Sequence, residues 1–196
     1  MYRFYLAAID MIPGALILAP VYLILNKAHF HSTRNTILYY LFSCYLSVIY
    51  VLVGLPNITY IRPELNINLI PIIGITDDWK NSILNILLFV PLGLMLPVMW
   101  DRFRNQKNAL LLGFCISLTI ELLQMLTFRA TDVNDLITNT LGTYLGFLCA
   151  KGRPQKYQIA KNCTMGEIGI VFSSVLLVML FVYPFVSSAM WDIILQ

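Results

Sequence analysis

Residues 117–146 read SLTIELLQMLTFRATDVNDLITNTLGTYLG: two apolar arms joined by a polar elbow, Arg129-Ala-Thr-Asp132-Val-Asn-Asp135. Polar residues gather on each arm close to the elbow, Glu121 and Gln124 on the first, Thr138 and Asn139 on the second. The arms have the composition of membrane helices. A carboxylate such as Glu121 inside a membrane helix is costly and calls for a reason. Working outward, the rest of the chain reads as a holder for this helix pair.

The 196 residues are 59% hydrophobic and 12% charged, with a mean hydropathy of +0.75. Soluble domains are about 45–50% apolar and about 25% charged, so the fold class expected is all-α: a polytopic transmembrane helical bundle, with no room for a second sizeable domain. The net charge of +3 is small and no basic run suggests nucleic acid. Cys44, Cys115, Cys149 and Cys163 are scattered and form no CxxC pair, which gives no sign of a zinc site or a disulfide framework. The first apolar segment is too long for a signal-peptide core, is interrupted by Pro13 and Pro20, and is expected to be retained.

A membrane span needs about 20 mostly apolar residues. Six stretches qualify: Tyr5–Leu25, Ile37–Leu55, Ser82–Trp100, Ala109–Thr127, the shorter Val133–Ala150, and Ile168–Val186. The link 56–80 contains a semi-apolar run, Ile67–Ile75, too short to span and suited to the interface or to re-entry. With six spans, the connections 26–36, 101–108 and 151–167 carry nine of the 13 Lys and Arg residues, and the opposite set carries four, Arg3, Arg62, Lys80 and Arg129. The basic set belongs in the cytoplasm, which puts both termini and the elbow outside. Trp79, Trp100 and Trp191 fall at expected interfaces.

In this topology Glu121 lies roughly 9 Å below the outer edge of its span, six residues at the helical rise. Asn81, Ser82 and Asn85 on the third span, Asn139 on the fifth and Asp10 on the first fall in the same leaflet, and the inner halves are nearly all apolar. The spacings Glu121/Gln124, Asn81/Asn85 and Asp135/Asn139/Gly142/Gly146 place each set on one helix face. Gly142-x-x-x-Gly146 is a small-residue face that lets another helix approach closely. Glu121 is expected to face Asn85 and Asn139, either as proton acceptor, ligand contact or ion site, or as a buried carboxyl held by Gln124, Asn85 or Asn139. Asp132 is a natural N-cap with Asp135 in the first helical turn. Arg129 either pairs with one of these acids or binds an anion. Pro91 and Gly93 shape their helix. His29 and His31, with no acid or Cys beside them, read as solvated side chains. No Ser–His–Asp set, Walker motif or HExxH is present, and neither a cofactor nor a metal is implied.

Three blocks carry a resemblance to the VanZ-like family of bacterial membrane proteins. They are Leu65-Asn-Ile-Asn68-Leu-Ile-Pro71, Asn85-Ile-Leu-Leu-Phe89-Val-Pro91-Leu-Gly93, and Ser117–Gln124 followed by Arg129–Gly142. The family's usual aromatic after the first block is Ile72 here. The resemblance divides the chain into an additional N-terminal helix and cytoplasmic loop, 1–36, and a VanZ-like membrane domain, 37–190. It implies a multipass protein of the bacterial cell membrane linked to low-level resistance to teicoplanin, a lipid-tailed glycopeptide of the cell envelope. It transfers no reaction.

Two functional readings follow. In the first, an outward polar pocket made by Asn85, Glu121, Gln124, Arg129, Asp132, Asp135 and Asn139 engages a lipoglycopeptide or a lipid-linked cell-wall precursor, within the lipid bilayer. In the second, the protein is an enzyme acting on such a precursor, with Glu121 as general acid or base and Asp135 and Arg129 positioning a phosphate or sugar. A small transporter fits less well, for want of inner-leaflet polar residues and of a repeat.

Overall fold

A computed structural model describes residues 2–59, 61, 67–68, 79–127, 131–151 and 165–194. The protein is an all-α polytopic membrane protein whose helices fall into two compact units, Met1–Ile61 with Thr164–Gln196, and Arg62–Cys163. Among the described residues, five helical stretches are long and apolar enough to cross a membrane: Met11–Phe30, Thr33–Leu52, Trp79–Met99, Gln106–Gln124 and Gly166–Ile193.

The first unit holds α1 (Tyr2–Leu25), α2 (Thr33–Leu52), α6 (Met165–Leu177) and α7 (Tyr183–Ile194). A π-turn, Asn26–Phe30, extends α1. Asn26 fastens the connection to α2: its Oδ1 accepts from the Ser32 N–H (3.0 Å) and the Thr36 hydroxyl (2.9 Å), while the Ser32 hydroxyl caps α2 at Asn35 N. Leu18, Tyr22, Tyr39, Phe42, Val171 and Met179 form the interior. Buried hydroxyls find partners, Tyr22 with Ser43 and Ser174, as groups cut off from water must. A second π-turn, Val178–Val182, joins α6 to α7. Pro184 has no N–H to offer the Leu180 carbonyl one turn back. The Ile58 N–H, from the chain leaving α2, donates to that carbonyl instead at 3.2 Å.

The second unit holds α3 (Trp79–Met99), α4 (Gln106–Gln124) and α5 (Val133–Lys151). A 3₁₀ turn, Asp101–Arg104, connects α3 to α4, and Asn105 caps α4 by accepting from Lys107 N at 2.9 Å. Two short segments, β1 (Ile67–Asn68) and β2 (Thr131–Asp132), pair in parallel. The remainder of the semi-apolar run, 69–75, lies outside the described residues, as does the side chain of Asp10. Trp100 differs from the interfacial anchor expected of it: it is enclosed, 1% exposed, with its ring edge-on to Phe103. Here the indole closes the end of the α3 core. Leu87, Leu122, Leu145 and Leu148 are exposed on the outer faces, in the arrangement of a protein dissolved in lipid.

The pairing of α3 with α5 is the most extensive in this unit, and glycine makes it. A Cβ at Gly142 would fall on the Ile86 carbonyl, one at Gly146 on the Val90 carbonyl, and one at Gly93 on the Thr143 carbonyl. The two backbones touch. The face anticipated from Gly142-x-x-x-Gly146 is therefore the α3 contact, with Gly93 as its counterpart across the crossing.

Candidate functional site

On α4 the buried positions are Ala109, Gly113, Ser117, Ile120, Glu121 and Gln124, and on α5 they include Asn134, Thr138, Asn139, Gly142, Thr143 and Gly146. The spacing of three and four gives each helix one polar, small-residue face. The threonines satisfy themselves along α5: Thr138 donates to Asp135 O, Thr140 to Leu136 O and Thr143 to Asn139 O. Such hydroxyls need no outside partner.

Asn139 and Ser117 meet between the helices. The Asn139 amide donates to Ser117 Oγ at 2.9 Å, and the two residues are 3% and 0% exposed. Asn139 Oδ1 is buried with no hydrogen-bond partner among the described residues. Leaving such an acceptor unmet costs about 1–3 kcal/mol, so this atom marks a place suited to a donor from a ligand or a water.

One turn from Ser117, in the last turn of α4, Glu121 is 3% exposed. Its Oε2 accepts from the backbone N–H of Asp132 at 2.9 Å. Asp132 caps α5 as expected, its Oδ1 accepting from Asn134 N at 2.8 Å. Glu121 thus has a main-chain partner at the elbow, and the Asn139 amide bonds Ser117. Side-chain spacing reveals which side chains share a face but not which backbone donors meet them. Nothing in the sequence marks Ser117 as a site residue by its type alone. The signal is its position four residues before Glu121, on the same face.

Gln124 is buried beside the end of α4, where Thr127 donates both N–H and hydroxyl to the Gln124 carbonyl. Asn85 and Asp135 are half-buried. Arg129 lies outside the described residues. Glu121, Asp132, Ser117 and Asn139 are therefore brought together at the α4–α5 junction, with Gln124 on the same buried face of α4. Among the described residues no group of His, Cys, Asp and Glu side chains could hold a metal ion. His29 and His31 are exposed.

Residues 15–154 match the VanZ/LLP1 family. Over 120 residues the chain is 35% identical to Protein VanZ of Enterococcus faecium, an alignment covering 60% of this chain and 71% of that protein. No solved structure matches this chain.

Proposed function

Because the chain belongs to the VanZ/LLP1 family of multi-pass bacterial membrane proteins, we propose that it confers low-level resistance to teicoplanin-class lipoglycopeptides, through a polar site at the α4–α5 junction that faces outward. The observation that carries this reading is the buried, polar end of that helix pair, where Asn139 keeps an acceptor with no partner among the described residues. Hydrogen-bonding groups in an apolar surround suit the polar part of a ligand whose lipid tail stays in the bilayer. Asn85, Gln124, Asp132, Asp135 and Asn139 contribute polar contacts, and Glu121 holds the elbow beside them. Arg129 joins them as the cation for an anionic group. With six spans, the bias of Lys and Arg toward 26–36, 101–108 and 151–167 supports both termini and the elbow outside. α5, 19 residues long, is the fifth of these spans in chain order and the one added to the five long apolar helices: its polar face is turned to α4 and Leu141, Leu145 and Leu148 are exposed on its other side.

The test is antibiotic susceptibility in a host lacking the protein. Expression should raise tolerance to teicoplanin more than to a glycopeptide without a lipid tail, and Asn139→Leu, expressed at the wild-type level, should lower the gain. Equal tolerance with and without the chain would refute the reading. Analysis of lipid-linked cell-wall intermediates on incubation with the purified protein distinguishes the enzymatic alternative, for which a new covalent species is required.

A further inference from the structure

We infer that Glu121 is a positioning residue, which fixes the elbow by accepting a main-chain hydrogen bond and acts through its oxygen rather than through its charge or its proton. At the start of a helix, the N-cap side chain usually accepts from an N–H of the first turn, and a side chain three residues on reaches back to the N-cap's own N–H. The first half of that exchange is present here: Asp132 Oδ1 accepts from Asn134 N at 2.8 Å. In the second half, the N–H of Asp132 goes to Glu121 Oε2 at 2.9 Å, from the last turn of a different helix. The cap of α5 is completed by α4.

The placement explains why an oxygen acceptor is needed at position 121. Asp132 belongs to a two-residue segment paired in parallel with Ile67–Asn68. Irregular backbone beside membrane helices persists only where its polar groups are met by protein or water. Glu121, 3% exposed, reaches the Asp132 N–H and joins α4, the paired segment and the first turn of α5 at one point. It stands in the last turn of α4, where a negative charge opposes that helix's own dipole. The first turn of α5 beside it offsets this. An amide oxygen at the same place would accept the same bond without either electrostatic consequence.

The experiment is amide hydrogen exchange across residues 131–134 in purified full-length protein, with Glu121→Gln and Glu121→Leu compared with wild type. Glu121→Gln is expected to keep wild-type protection there. Glu121→Leu is expected to exchange on the order of tenfold faster in that segment, the effect of one lost hydrogen bond, with protection in the middle of α3 unchanged. If Glu121→Leu does not accumulate, Glu121→Gln decides alone. Loss of protection in Glu121→Gln, or retained protection in Glu121→Leu, would overturn the inference. The same pair read for teicoplanin tolerance separates positioning from chemistry: a Gln variant with wild-type protection and full tolerance agrees with positioning, and one with wild-type protection and no tolerance shows that the charge or proton is used. If the wild type gives no tolerance at all, the proposed function fails while the exchange result still decides the role of Glu121.

Discussion

Replacing Gly146 by alanine tests the packing that holds the second unit together. The added Cβ would lie 2.9 Å from Leu94 N and from the Val90 carbonyl carbon, and closer still to the Val90 oxygen, whereas ordinary contact begins at 3.4 Å. Every obstacle is backbone of α3, so no side chain can swing aside. The helices must part at their closest point, weakening dispersion contacts along the whole crossing. Overpacking of this kind costs about 1–3 kcal/mol, and backbone obstacles put Gly146 at or above the top of that range. The gain of about 1 kcal/mol from placing alanine in a helix offsets part of it. A net loss of about 2 kcal/mol corresponds to a Tm lower by about 4–8 °C for a chain of this size. Gly169 is the internal control, since a Cβ there meets nothing within 4 Å. Thermal unfolding of the purified protein in detergent should show Gly169→Ala at or slightly above the wild-type Tm and Gly146→Ala well below it. Coincident melting of the two variants would refute the backbone-contact account of the α3–α5 crossing.

Asp132→Asn and Asp132→Ser should melt as the wild type does, because both residues cap well, and Asp132→Ala should lose about 0.5–2 kcal/mol in the same assay. A normally folded Asp132→Asn without teicoplanin tolerance would show that the carboxylate also serves the ligand. Pro184→Ala returns an N–H that competes for the Leu180 carbonyl, so the amide of Ile58 should exchange faster; an unchanged rate would mean that the proline does not create that acceptor.

Most of the fold is legible from hydropathy alone, because in lipid the backbone has few options besides the helix. The α3–α5 contact is legible for a further reason: Gly142 and Gly146 share a face, and a close partner is the main use of such a face. The partner itself is not, since Gly93 acquires its meaning only when α3 is seen against α5. The cap at Asp132 reads directly from residue type and position. The two π-turns do not, although Pro184 in hindsight marks the second. At the site, sequence isolates Glu121 as the residue needing an explanation, but the partner that matters is a main-chain N–H eleven residues away across the elbow. A pattern of side chains carries no trace of that donor. The Asn139–Ser117 bond was hidden similarly, because a serine in a membrane helix usually satisfies itself against its own backbone.

The central claim is that the polar α4–α5 junction faces outward, where a lipoglycopeptide would meet it. Single cysteines placed by Thr131→Cys and Asn105→Cys, in a background without Cys44, Cys115, Cys149 and Cys163, test it with a membrane-impermeant thiol reagent on intact cells. The account predicts that Thr131→Cys is labelled in intact cells and that Asn105→Cys is labelled only after permeabilisation. The reverse pattern would place the elbow in the cytoplasm and contradict the claim.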